Sequence, residues 1–100
     1  MRFAESARQD LNSIYSWNYH YWGELQADRY QEFLLNVCTS LESGEISGSL
    51  VAGREEFQHY LAKWKRAKHG HRIIFRLEGQ ELTVIRMIHS AMEFPRYFSD

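Results

Sequence analysis

The sequence predicts an α+β domain in which an N-terminal helical hairpin packs on a small antiparallel sheet. Three observations predict it. Apolar residues recur at three- and four-residue steps up to residue 42. A single glycine, Gly23, interrupts that helical pattern, so the two segments must fold back on one another. After a stretch rich in glycine and serine at 42–56, the periodicity turns strand-like. At 100 residues the chain is one domain, 1–100, and its 44% apolar content is spread throughout, which argues for a folded chain.

The elements follow in order. Met1 to Phe3 offer a very short edge strand. A first helix over 5–22 carries the stripe Ala7, Leu11, Ile14, Asn18 and Tyr21, flanked by Tyr15 and Trp22. Gly23 suits a left-handed C-terminal cap. A second helix over 24–42 presents Leu25, Tyr30, Phe33, Leu34, Val37, Cys38 and Leu41. Two amphipathic faces this close need a third surface to bury against, and a sheet supplies it. The segment ESGEISGSLVAGREE, 42–56, reads as loop.

Strands are expected at 57–66, 71–77 and 81–89. AKHG connects the first two, with Gly70 as a permissive turn position. EGQE connects the last two, and Gly79 suits a type II′ or I′ two-residue loop. By alternation, Leu82, Val84, Arg86 and Ile88 point one way along the last strand, and Thr83, Ile85, Met87 and His89 the other. Both sets are largely apolar, so this strand is central. One face meets the helices; the C-terminal tail or a partner chain covers the other. Arg86 then needs a partner or water for its charge.

Composition narrows the functional classes. One cysteine, Cys38, allows no internal disulfide and fits a reducing cytosol. No apolar run is long enough for a membrane helix, and MRFAESARQ lacks the apolar core of a signal peptide, so the expectation is a soluble, cytoplasmic protein. The net charge is −1, but the 12 Lys and Arg are unevenly placed. From Phe57 to Leu77 there is no acid, while Lys63, Lys65, Arg66, Lys68, Arg72 and Arg76 all fall there. Such a run is either a solvated hairpin or a patch for a polyanion or acidic partner.

Several side chains could carry chemistry. Arg72 and Arg86 lie on neighbouring strands and can converge on a phosphate. His89 has a side chain suited to proton transfer. Those three lead the candidates if the protein is a nuclease, with Lys63, Lys65 and Tyr97 beside them; no His–Asp or paired-carboxylate spacing points to another hydrolase. His69 and His71 share one strand face but have no Cys or carboxylate cluster beside them, so no metal and no cofactor are expected. Cys38, on an apolar stripe, reads as a buried small residue. Trp22 and Tyr30 read as packing for the hairpin. Trp64 stands between Lys63, Lys65 and Arg66, where it can stack on a base or pack across strands. The tail EFPRYFSD turns on Pro95 and offers Phe94, Tyr97 and Phe98 as a lid or an interaction surface.

Three segments carry a family resemblance. FAESARQDLNSIYSW is similar to a first helix with an A-x-x-D-L element at Ala7, Asp10 and Leu11. YWGELQADRYQEFL is similar to a W-G-x-x-Q-A-x-x-Y junction at Trp22, Gly23, Gln26, Ala27 and Tyr30. VIRMIHSAMEFPRYF is similar to an I-x-R-I-L-H-x-x-M-D-x-x-R ending through Ile85 to His89, Met92, Glu93 and Arg96. In this order they resemble the RelE/ParE superfamily of toxins from bacterial type II toxin–antitoxin modules, the ParE branch in particular. GHRIIFRL, 70–77, matches the penultimate strand. Departures are the short start, Arg72 where a histidine is common, a 42–56 loop without proline, and a near-neutral charge.

The resemblance implies a cytoplasmic toxin of a plasmid-stabilisation type of module. ParE-like members inhibit DNA gyrase by binding, without chemistry of their own. RelE-like members cut mRNA on the ribosome, the alternative reading, and an antitoxin-binding homologue without toxicity is a third. Implied partners are a cognate antitoxin and DNA gyrase, with DNA met only through the antitoxin, in a homodimer or a toxin–antitoxin hetero-oligomer. Arg86 and His89 match the ParE-type ending, where they tie the last strand to the C-terminal turn. The partner-facing candidates are Trp22, Tyr30, Lys63, Trp64, Arg86, Phe94, Arg96, Tyr97 and Phe98. A short first strand would leave a sheet edge for an antitoxin strand to complete.

Overall fold

A computed structural model describes residues 1–92 of the chain. The order is β1 (Arg2–Phe3), α1 (Glu5–Trp22), α2 (Glu24–Ser43), β2 (Ser49–Val51), β3 (Arg54–Ala62), β4 (His71–Glu78) and β5 (Glu81–His89). The five strands form one sheet in the order β1-β5-β4-β3-β2. Four of them meander antiparallel; β1 lies parallel to β5, Arg2 beside Thr83 and Phe3 beside Val84, so the sheet is mixed. The helical hairpin packs on one face. The expected α+β class holds, and β5 is an inner strand, as its two largely apolar faces required.

Gly23 sits at φ 90°, ψ 174°, where its N–H bonds the Tyr19 carbonyl at 3.0 Å. That is a region essentially confined to glycine, and not the left-handed helical cap expected from the sequence. It ends α1 and begins α2 with no intervening residue. Gly44, at φ 83° and ψ 6°, is a left-handed cap and closes α2.

The core lies between the hairpin and the sheet. Ala7, Leu34, Cys38 and Leu41 from the helices meet Ile73, Phe75, Leu82, Val84 and Met87 from β4 and β5. Two stripe assignments do not hold: Tyr21 and Leu25 are 60% and 63% exposed. Both flank the Gly23 corner, where the helices diverge from the sheet.

Strict alternation along β5 also fails. Ile74 pairs with Arg86 but Phe75 with Val84, which leaves Ile85 as the extra residue of a bulge. The bulge shifts the phase by one, so Leu82, Val84 and Met87 share the core while Ile88 is buried outside it. Arg86 leaves the face on which alternation placed it with Leu82 and Val84.

The 42–56 segment is not all loop. It contains β2, which turns through Ala52–Gly53 into β3 with a bulge at Leu50–Val51. Three residues among glycines carry too little periodicity to read as a strand. β3 stops at Ala62 and does not reach residue 66. There the Trp64 carbonyl accepts the Ala67 N–H at 2.9 Å and Lys65 takes φ 52°, a turn that ends the strand. In the β4–β5 hairpin Glu78 pairs with Glu81 and Gly79 has φ 63° at the first loop position, the type II′ choice.

Candidate functional site

A groove of about 640 Å³ opens where the helical hairpin turns. α1 supplies Asp10, Ile14, Trp17 and Asn18; the corner and α2 supply Trp22, Gln26 and Tyr30. The β3–β4 connection supplies Trp64, His69 and Gly70, and the strand ends supply His71 and Arg86 through His89. It exists because the Lys63–Gly70 connection bends back toward the helices. Phe33 and Trp64 stack at 6.2 Å and 19°, and Tyr30 packs on Trp64 at 5.7 Å, which holds that wall in place.

Asp10 joins α1 to β5. Its carboxylate accepts Arg86 Nε–H at 2.7 Å, a terminal guanidinium nitrogen of Arg86 at 3.1 Å and the Met87 backbone N–H at 2.9 Å. The bidentate bond holds Arg86 above its ordinary pKa, against the opposing effect of burial. This is the partner that Arg86 required, and sequence reasoning noted both residues without joining them. The available signal was one cation on an apolar strand and one acid beside the α1 stripe.

The imidazoles form a row. His69 and His89 lie 5.3 Å apart, and His89 meets His71 edge-on at 5.4 Å. Tyr30 Oη lies 2.7 Å from His71 Nδ1. The two share a hydrogen bond, and burial raises the Tyr30 pKa to about 12, so the phenol keeps its proton. Burial, then the neighbouring His89, pushes His71 down to about 4. His89 Nδ1 accepts the Ala91 N–H at 3.0 Å, and burial followed by His69 lowers its pKa too. His71 and His89 are therefore neutral at pH 7. Among the described residues no three His, Cys, Asp or Glu side chains come together as a metal-ligand set.

The sequence candidates separate in space. Tyr30, Trp22, Trp64, Arg86 and His89 all line the groove, whereas Arg72 does not. Arg72 Nη1 donates to His59 Nδ1 at 3.0 Å, so the two arginines are engaged with different partners. Trp22 is 66% exposed and does not pack the hairpin as expected; Tyr30 does. Lys63 is exposed on the β3–β4 connection. Phe94, Arg96, Tyr97 and Phe98, with the Pro95 turn, lie outside the described residues. Trp17, 55% exposed on the groove's helical wall, was missed because at sequence level it falls off the α1 stripe.

A helical hairpin on one face of a five-stranded mixed sheet, with a groove at its corner, defines a ParE-like α+β domain. Residues 1–94 match the family model of the ParE toxin of the type II toxin–antitoxin system, parDE, and the chain belongs to that family. A solved structure described as the chromosomal ParDE TA system from P. aeruginosa has the same fold. It superposes with a TM-score of 0.65 at 16% identity, covering 87% of this chain and 90% of that one. No curated protein matches the chain. No helix among the described residues is long and apolar enough to cross a membrane.

Proposed function

We propose that this ParE-family toxin acts by binding, with DNA gyrase in the cytoplasm as its target, and that a cognate antitoxin neutralises it. The observation that carries the binding reading is the state of the groove's polar groups. Arg86 is bonded to Asp10, His71 to Tyr30 and His89 to the backbone of Ala91. Acid–base chemistry needs a group poised near the working pH, and His71, at about 4, is far from it. Around these satisfied groups the rim exposes Trp17 and Trp22, the kind of aromatic surface that anchors protein interfaces. Trp22, Tyr30, Lys63, Trp64 and Arg86 form the partner-facing set on this side.

The test is supercoiling by purified gyrase with the protein added, then with the product of the adjacent gene as antitoxin. Inhibition relieved by that product supports the reading. Trp22→Ala should weaken inhibition while leaving the folding midpoint unchanged, since that side chain is exposed. An inert, folded sample that instead cuts mRNA on ribosomes would replace binding with nuclease action.

A further inference from the structure

All three tryptophans of the chain, Trp17, Trp22 and Trp64, line this groove. Trp17 and Trp22 are 55% and 66% exposed, Trp17 with its ring against Tyr21 at 4.7 Å and its remaining surface open to whatever enters. Trp64 is fixed from behind by Phe33 and carries the Lys65 ammonium 5.3 Å from its ring. Lys65 itself holds φ 52°, a left-handed backbone that side chains other than glycine adopt at a cost. The connection bearing Trp64 also bears exposed Lys63, Arg66 and Lys68. Among the described residues none of these four cations makes an ion pair, and no acid lies between Phe57 and Leu77.

From this juxtaposition of indoles in the groove and exposed cations on the connection that borders it, we infer that the groove binds single-stranded polynucleotide directly. Bases stack on the tryptophans while the phosphates follow Lys63, Lys65, Arg66 and Lys68. Charge complementarity admits any polyanion, but the lining favours one with π-faces. An acidic peptide would gain from the cations and leave the indoles without stacking partners. A duplex would offer phosphate while keeping its bases stacked internally. The cationic connection, Lys63 to Gly70, has no carboxylate, amide or hydroxyl side chain to bond a 2′-hydroxyl. The phosphate contacts made along this connection therefore do not distinguish the sugar. The inference is independent of the gyrase reading.

The experiment is fluorescence titration of the full chain with an oligothymidine of about 12 nucleotides, within the span one such groove covers. Stacking should quench the intrinsic tryptophan emission. The affinity should fall with salt on a log–log slope of about −3, as expected for four phosphate contacts on a single strand. Oligouridine of equal length should bind within about threefold and a matched duplex at least about tenfold more weakly. Trp22→Ala should lose about tenfold in affinity. Lys63→Ala/Arg66→Ala/Lys68→Ala should flatten the slope to about −1. Circular dichroism confirms that each variant is folded. No quenching at low salt, equal binding of the duplex, or an affinity for one sugar alone would overturn the inference. An oligoglutamate of equal charge that binds as tightly would also overturn it and assign the groove to an acidic protein.

Discussion

The Arg86 guanidinium and the Asp10 carboxylate meet at 2.7 Å through Nε, and the same carboxylate oxygen accepts the Met87 N–H at 2.9 Å. One side chain of α1 thus neutralises a cation and satisfies a backbone donor on the side of β5 that β1, two residues long, does not reach. β1 pairs only with Thr83 and Val84, and Asp10 takes over beyond it.

Asp10→Ala should therefore remove two interactions at once. It strands a partly buried charge and a backbone N–H, and the expected loss is about 2–4 kcal/mol by urea denaturation. Asp10→Asn keeps an acceptor for Met87 and should lose less. Combining Asp10→Ala with Arg86→Met in a double-mutant cycle should recover about 1 kcal/mol or more. Simple additivity would show that the pair does not couple.

His71 makes stability depend on pH. Its folded pKa of about 4 lies below the ordinary 6.5, because burial disfavours the imidazolium. As pH falls below 6.5 the unfolded chain takes up a proton that the folded chain refuses, so stability drops. The drop continues to about pH 4, where the folded form also protonates, and then levels off. Its full extent is on the order of 3 kcal/mol. His59 and His89 are also depressed and act with the same sign. His71→Gln retains an acceptor for Tyr30 and does not titrate. Denaturation midpoints from neutral to acid pH should fall less steeply in that variant; parallel curves would remove His71 as a cause.

What the sequence revealed tracks the range of the forces involved. Helical stripes and the β4 and β5 runs were legible because local periodicity reports a buried face. β2 was not, because Ser49–Val51 becomes a strand only by pairing with β3. The inward turn of Met87 was hidden by the bulge at Ile85, which alternation cannot foresee. At the site, Arg86 and His89 were visible as polar residues on an apolar strand, Tyr30 as part of the α2 stripe, and Trp64 as an aromatic among cations. Their partners were not: Tyr30 and His71 are 41 residues apart, and Asp10 and Arg86 76. Pairings over that distance follow from topology, and no local pattern encodes them.

Cys38 should be chemically silent in the native state. The thiol is fully buried on α2, and burial pushes its pKa up to about 12. The thiolate, the reactive form, is negligible at about pH 8. A thiol reagent such as a chromogenic disulfide should label it only at the rate of opening, with labelling becoming rapid above the urea midpoint. Fast labelling without denaturant would mean that α2 opens independently of the sheet.

Gly70 and Gly79 should respond differently to the same added methyl group. The sequence casts both as turn glycines, but only Gly79 has a positive φ, 63°, and a Cβ there would meet nothing within 4 Å. Gly79→Ala should lose only the backbone preference, about 1 kcal/mol. At Gly70 a Cβ would lie 2.0 Å from the Ala62 carbonyl oxygen, so the glycine is required by close approach of two backbones. The segment cannot simply slide away, because Gly70 N–H donates to Ser90 Oγ and Ser90 N–H to the Gly70 carbonyl, each at 2.9 Å. Gly70→Ala must break that clasp or part β3 from β4, and the expected loss is about 3 kcal/mol. Because Gly70 also lines the groove, the tryptophan emission of the folded Gly70→Ala protein should shift, and that of Gly79→Ala should not. Equal losses of stability in the two variants would mean that the β3–β4 connection yields freely and that the groove wall is not braced by Gly70.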